Sequence, residues 1–137
     1  MAALTGITAV RPTADTKSTP PVRYGATLGI AIPVYLDVSD LTHKAADNDA
    51  SVSTDAVVGL TITPGVNGGY GYLATGGSII LVGTTMAVGV TYYLGSTPGE
   101  IVPESDVSTG DAVTRIGTAS TTTQLDLDIK VTNIPKA

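Results

Sequence analysis

The chain has 137 residues and a formal net charge of −5, with seven Lys and Arg against twelve Asp and Glu, and it contains no Cys, Phe or Trp. That length fits one domain whose core must come from Val, Ile, Leu and six Tyr, and the missing Cys excludes disulfides, thiol nucleophiles and thiolate metal sites. The acidic balance speaks against phosphate-neutralising nucleic-acid binding and against an anionic membrane surface, so neither nucleic acid nor membrane is expected as a partner.

The N-terminus, Met1-Ala-Ala-Leu-Thr-Gly6, lacks a basic region followed by an apolar stretch, so no secretion signal is expected. The longest aliphatic block, Ile79–Val82, is far too short to span a bilayer. Residues 1–23 read as an extended, Pro-rich N-terminal arm, followed by a β-domain over 24–137. Leu4, Ile7 and Val10 could form a short strand. From Arg11 to Arg23 no regular element is expected, because Pro12, Pro20 and Pro21 remove backbone donors and favour extended chain. This arm carries Arg11, Lys17 and Arg23, three of the seven basic residues. An extended segment of that kind can lie on a partner, with Arg11, Pro12, Lys17, Pro20, Pro21 and Arg23 as the candidate contacts.

Abundant β-branched residues with recurrent Gly and Pro predict many short strands joined by turns. Leu28, Ile30 and Ile32 alternate as in a half-buried strand, which breaks at Pro33 before a second strand through Val34-Tyr-Leu36. Asp37 to Asp55 reads as polar turn and loop, with a short strand through Leu41–Lys44. Ala56–Thr63 is predicted as a strand, and Tyr70–Thr75 as another that puts its tyrosines on one face. Gly76-Gly77 is read as a turn into a buried strand over 78–83. Thr91–Leu94 and Ile101–Pro103 should form a hairpin whose Pro98-Gly99 suits a type II turn. A helical turn is expected at Ser105–Val107, then a strand over Ala112–Gly117. In Leu125–Thr132, Leu125, Leu127, Ile129 and Val131 alternate with Asp126, Asp128 and Lys130, and the aspartates are read as guarding an exposed edge. Turn signals at this spacing point to a sandwich or barrel of short antiparallel strands.

The strand–turn pattern echoes itself at an offset of 58 residues. Tyr35 and Leu36 match Tyr93 and Leu94, Gly59 matches Gly117, and Gly25, Thr27 and Thr63 match Gly83, Thr85 and Thr121. Two similar β-modules packed as one domain would account for it.

Candidate chemistry is sparse. His43 is the single histidine, and a general base needs hydrogen-bond partners on both sides. With one His and no Cys a zinc site is not expected. Asp37 with Asp40, and Asp47 with Asp49 and Asp55, could attract a cation. Yet a calcium loop starting at Asp47 would have Val52 where the turn glycine belongs and Val58 where the closing acid belongs, which favours simple Asx turns. Gly69-Tyr-Gly-Tyr-Leu-Ala74 fits a dinucleotide fingerprint in letters only, because Gly76-Gly77 precludes the helix that such a site requires. Tyr70, Tyr72, Tyr92 and Tyr93 could form a platform for sugar, against the simpler expectation that they fill a core without Phe. No catalytic, cofactor or metal residue is therefore expected, and the chain does not read as an enzyme.

Taken in order, Val34-Tyr-Leu-Asp37, Val58-Gly-Leu-Thr61, Gly76-Gly-Ser-Ile79, Gly89–Leu94, Thr97–Pro103, Gly110–Gly117 and Leu125–Lys130 resemble the capsid decoration, or cement, proteins of tailed bacteriophages. The resemblance covers about residues 24–132. It implies a jelly-roll-like β-fold without enzymatic activity or cofactor. It also implies a homo-oligomer, dimeric or trimeric, made in the host cytoplasm and bound to the outer surface of the capsid. There it would bridge neighbouring major capsid protein subunits and stabilise the shell. The alternative expectation is a tail or fibre-associated β-module that binds host-surface glycan.

Overall fold

The computed structural model describes residues 3–48 and 55–137, and within them every regular element is a strand apart from one 3-10 turn at Glu104–Asp106. The N-terminal segment contributes β1 (Ala9–Pro12), β2 (Lys17–Ser18) and β3 (Val22–Arg23). There follow β4 (Pro33–Asp37), β5 (Thr42–Ala45), β6 (Gly59–Thr61), β7 (Tyr70–Gly71) and β8 (Leu73–Val82). The remainder is β9 (Thr91–Leu94), β10 (Ile101–Pro103), β11 (Ala112–Ala119) and β12 (Gln124–Pro135). All strand pairs are antiparallel, and they curl into an all-β, sandwich-like arrangement as expected.

The strand order is β10-β9-β11-β12-β8-β6-β4-β5, which reads alike from either end. The echo in the sequence has a structural counterpart. Val34, Tyr35 and Leu36 of β4 face Ala45, Lys44 and His43 of β5. Advanced by 58 residues, these pairs become Tyr92–Pro103, Tyr93–Val102 and Leu94–Ile101, which are the observed partners of β9 and β10. Pro33–Leu60 and Val34–Gly59 become Thr91–Thr118 and Tyr92–Gly117, again as observed. Even a flanking pair persists. Ala31 N donates to Thr61 O at 2.8 Å, and Gly89 N donates to Ala119 O at 2.7 Å. Ala31 (φ 58°) and Leu41 (φ 58°) are left-handed where the second unit has Gly89 (φ 82°) and Gly99 (φ 81°). The chain is thus two copies of one four-stranded unit joined antiparallel through β8 and β12. They differ in length only before the last strand. Leu60 pairs with Ala74, but its counterpart Thr118 pairs with Asp126, six residues sooner than a uniform offset would require.

The central core runs between the two units and includes Leu60, Ile79, Leu81, Met86, Tyr92, Leu94, Ile116 and Leu125. Burying such side chains stabilises by about 1.5–3 kcal/mol each. A smaller cluster gathers Leu28, Val34 and Leu73 around Tyr24, whose hydroxyl donates to Thr63 O at 2.8 Å. The Pro98-Gly99 turn has the expected form, with Glu100 N donating to Thr97 O at 3.0 Å and Gly99 at positive φ.

Several expectations are corrected. Leu28 to Ile32 is not a strand, because Ala31 turns left-handed and breaks the alternation. The strand expected over 56–63 is confined to Gly59–Thr61. Gly76-Gly77 is not a turn but lies inside β8. There the positive φ of Gly77 (73°) bends the strand, and a side chain at that position would collide with the Asp15 carbonyl. Asp126 does not guard an edge, since β12 lies between β11 and β8 there, whereas Asp128 lies one residue past the end of the β8 ladder at Leu127. Asp126 instead accepts from Ser78 Oγ at 2.7 Å, and Asp128 pairs with Arg115 at 2.7 Å. From Arg11 to Arg23, where no regular element is expected, the chain holds the end of β1 and all of β2 and β3; β1 and β2 run along β8 and β3 pairs with β7, so residues 9–23 are woven into the sheets. The prolines of this segment fall at the end of β1 and between β2 and β3, where their missing donors cost no ladder bond.

Gly77 and Gly89 separate backbone strain from collision. Gly89→Ala meets no atom within 4 Å and should cost only the left-handed penalty of about 1–2 kcal/mol. Gly77→Ala adds displacement of the Asp15 backbone and should cost about 3 kcal/mol or more. Urea denaturation of both variants measures the difference, and equal losses would refute the close-approach role of Gly77.

Candidate functional site

The arm is held by polar contacts spaced along its length. Leu4 N donates to Ile101 O at 2.9 Å, Thr8 N to Val82 O at 2.8 Å, and Thr19 N to Leu73 O at 2.9 Å. Between β1 and β2 the chain bulges outward. Thr13 Oγ1 donates to Ser78 O at 2.9 Å, the Thr16 hydroxyl joins it on the same carbonyl, and Thr13 Oγ1 also reaches the Asp15 carboxylate. That hydroxyl contact is the main reason the Asp15 carboxyl titrates below its ordinary range. Among the described residues no further strand pairs with the outer side of β1 or β2, so the arm forms an open sheet edge.

The six arm residues singled out in the sequence all lie exposed along this segment. Among the described residues, three of the four cations on the body of the molecule are engaged, and Lys130, exposed on β12, is not. Lys44 bridges Asp37 and Asp40, Arg115 pairs with Asp128, and Lys136 pairs with Glu104. Arg11, Lys17 and Arg23 enter none of the ion pairs among the described residues. An acidic molecule thus keeps three exposed cations free along its N-terminal segment, Arg11 and Lys17 on the open edge of β1 and β2 and Arg23 on β3, which suits contact with an acidic surface.

The other candidates resolve differently. His43 sits in β5 opposite Leu36, and its Nδ1 is buried without a hydrogen-bond partner. Burial is the larger influence and lowers its pKa, while a backbone hydrogen bond at Arg23 opposes the shift. Nothing among the described residues holds that nitrogen in the manner of a catalytic dyad.

Asp37 and Asp40 do come together, but around Lys44 Nζ, at 2.6 and 3.2 Å. The hydrogen bond from Lys44, followed by those from Ser39, takes the Asp37 carboxyl down to about 2. The lysine therefore occupies the place a cation would take.

Asp47 and Asp55 are both buried. Burial first and the neighbouring Asp47 charge second push the Asp55 carboxyl up. Asp49 lies outside the described residues, and no group of three metal-binding side chains forms among those described.

The four tyrosines separate. Tyr92 is core, with its hydroxyl accepting from Ala87 N at 3.1 Å, and Tyr93 is half-buried. Tyr70 and Tyr72 are 68% and 46% exposed, contrary to the core-filling expectation. The fingerprint-like Gly69–Ala74 lies on β7 and the start of β8, with no helix following.

One feature escaped the sequence reading. The β4–β5 turn exposes Val38 and Leu41 beside half-covered Leu36. The available signal was two aliphatic residues inside a segment otherwise read as polar turn.

His43 gives a pH signature. Its pKa is lowered from the ordinary 6.5 in the folded chain, so the unfolded chain takes up the proton first. Its contribution is whole above about pH 6.5 and is lost as pH falls below that. The Asp37 contribution goes only lower, between its ordinary 3.8 and about 2. The melting temperature of the native chain should therefore decline between pH 7 and 5, and His43→Gln should flatten that interval; an unchanged slope in the variant would refute it.

Compared with known proteins, the chain matches no protein family model and no curated protein.

Proposed function

We propose that this chain is a structural virion protein that decorates the outer surface of a tailed-phage capsid. It would bridge neighbouring major capsid protein subunits and stabilise the shell without catalysing a reaction. The observation that carries this reading is the open edge of β1 and β2 with its free cations Arg11 and Lys17, continued by the free Arg23 of β3, on a molecule of net charge −5. A sheet edge offers backbone donors and acceptors to an extended partner segment, and the cations favour an acidic one. The ordered motif series adds support, since its Tyr-Leu pieces lie on the equivalent strands β4 and β9, and Thr97–Pro103 forms the β9–β10 turn and β10. The two-sheet, antiparallel architecture suits a jelly-roll-like relationship. Modest contacts repeated around a shell would sum to firm attachment.

Because the arm is woven into the sheets, substitution tests the idea more cleanly than truncation. Replacing Arg11, Lys17 and Arg23 together by Gln should leave stability within about 0.5 kcal/mol per site, since all three are exposed and unpaired. The same variant should co-sediment with undecorated capsid shells at least about tenfold less well, a loss that shrinks at high salt. Full-strength binding by the variant would refute the arm's role.

Tyr70 and Tyr72 favour a second reading, a tail or fibre-associated module that binds host-surface glycan, because exposed tyrosines two residues apart can stack on sugar. Measurable affinity for bacterial polysaccharide, lost in Tyr70→Ala or Tyr72→Ala, would favour it over capsid decoration.

A further inference from the structure

The duplicated unit supplies its own control for what the β4–β5 turn requires. At the position of Leu41 the second unit has Gly99, and at the position of Val38 it has Ser96. Both turns reach a left-handed residue, which glycine accepts freely and leucine does not. Yet the first unit keeps Leu41 at φ 58° and 70% exposed, next to Val38 at 78%. Neither side chain is needed to close the turn. The turn is also stiffened. Asp37 accepts from Ser39 N at 3.0 Å, Asp40 accepts from Thr42 N at 3.1 Å, and Lys44 joins both carboxylates. A rigid, strained loop that presents two aliphatic side chains to water has the makings of a binding anchor.

An apolar groove lies elsewhere on the same chain, where Leu28 and Gly65 exchange backbone hydrogen bonds at 2.8 and 3.0 Å. Thr27, Gly29, Pro64 and Val66 complete its lining, and Val66 is 66% exposed. Beside Gly68 of its neighbouring turn, Val66–Gly69, lies the unpaired guanidinium of Arg23 from β3. The anchor has two carboxylates against one ammonium and so is net acidic; the groove is apolar with a basic rim. Shape class and charge are complementary.

We propose that the Val38–Leu41 turn of one molecule docks in the Leu28–Val66 groove of a second copy, in a head-to-tail contact. Such a contact is heterologous, so each molecule offers one anchor and one groove, and repetition forms a ring or a chain. The proposal is tested on the purified protein without capsid, and Arg23 on the groove rim is the one residue it shares with the capsid-binding reading.

Sedimentation velocity on the full-length chain tests it. The native protein should self-associate with rising concentration. Leu41→Asp and Val66→Asp should each be monomeric, with circular dichroism unchanged. An equimolar mixture of the two should form a one-to-one dimer and nothing larger, because it retains one intact anchor and one intact groove. Val38→Ser with Leu41→Gly, the residues of the second unit, keeps the turn and guards against misfolding. It should melt at an unchanged or higher temperature while self-associating at least about tenfold more weakly. The proposal is overturned if the native chain stays monomeric to about millimolar concentration, if either Asp variant assembles normally, or if the mixture fails to associate. Normal self-association by the Asp variants together with lost shell binding would give the anchor to a different partner and overturn it equally.

Discussion

A strand that hands over from one sheet to another along one side must bend where its partner changes, and a slip in the alternation of its hydrogen-bonding groups supplies the bend. β8 meets that condition. Tyr72 O, just before it, accepts from β6-side Ile62, whereas Leu73 N and O face Thr19 of the arm. Beyond the bend Ser78 O faces the arm, and Leu81 N donates toward β12-side Thr123. The alternation has slipped by one residue between Leu73 and Ser78, which is the work of the Gly76-Gly77 pair and the left-handed Gly77. The arm then follows one side of β8 throughout, while β6 and β12 diverge from the other into separate sheets. Its own bulge at 13–16 fits over the bend, with two threonine hydroxyls on one carbonyl.

The duplication explains both the regularity and the exceptions. Each unit ends in a hairpin strand whose outer carbonyls need a donor. In the first, His43 O receives Gly25 N at 2.8 Å from the segment that precedes the unit. In the second the corresponding carbonyl belongs to Ile101, but the segment equivalent to Gly25 has been drawn into the end of β8. Leu4 N fills the vacancy at 2.9 Å from the far end of the chain. The N-terminal residues therefore complete the second unit as well as flanking β8. A segment that reads as an appendage is part of what closes the fold.

Charge follows the same division. On the body each salt bridge fixes a local feature: Lys44 the β4–β5 turn, Arg115 a cross-strand pair with Asp128, and Lys136 the C-terminal tail against Glu104. Such exposed pairs contribute at most about 1 kcal/mol each, so their value lies in geometry more than in stability. The arm cations, with Lys130 on β12, enter no ion pair among the described residues and remain available outside the molecule. Two kinds of surface thus stand apart from the structural needs of the fold, an edge rich in free cations and a turn richer in aliphatic side chains than its twin.

Much of the fold was legible in the residues alone. Period-2 alternation located β12, the Thr97-Pro-Gly-Glu100 tetrad specified its turn, and the Tyr-Leu echo announced two related units. Such signals are local, set by backbone sterics and by alternating burial within a few residues. What stayed hidden was long-range. Whether Gly76-Gly77 turns the chain back or bends it onward depends on a partner some sixty residues away at Asp15, and glycine permits both. Whether a proline-rich segment hangs free or lies in a sheet depends on an unpaired edge that only the assembled strands create. The same holds for the candidate sites, where sequence supplied Lys44 near two aspartates and three cations in the arm. Only the packing decided that Lys44 is spent on its carboxylates while Arg11, Lys17 and Arg23 are not, because pairing is a matter of distance and distance belongs to the tertiary structure.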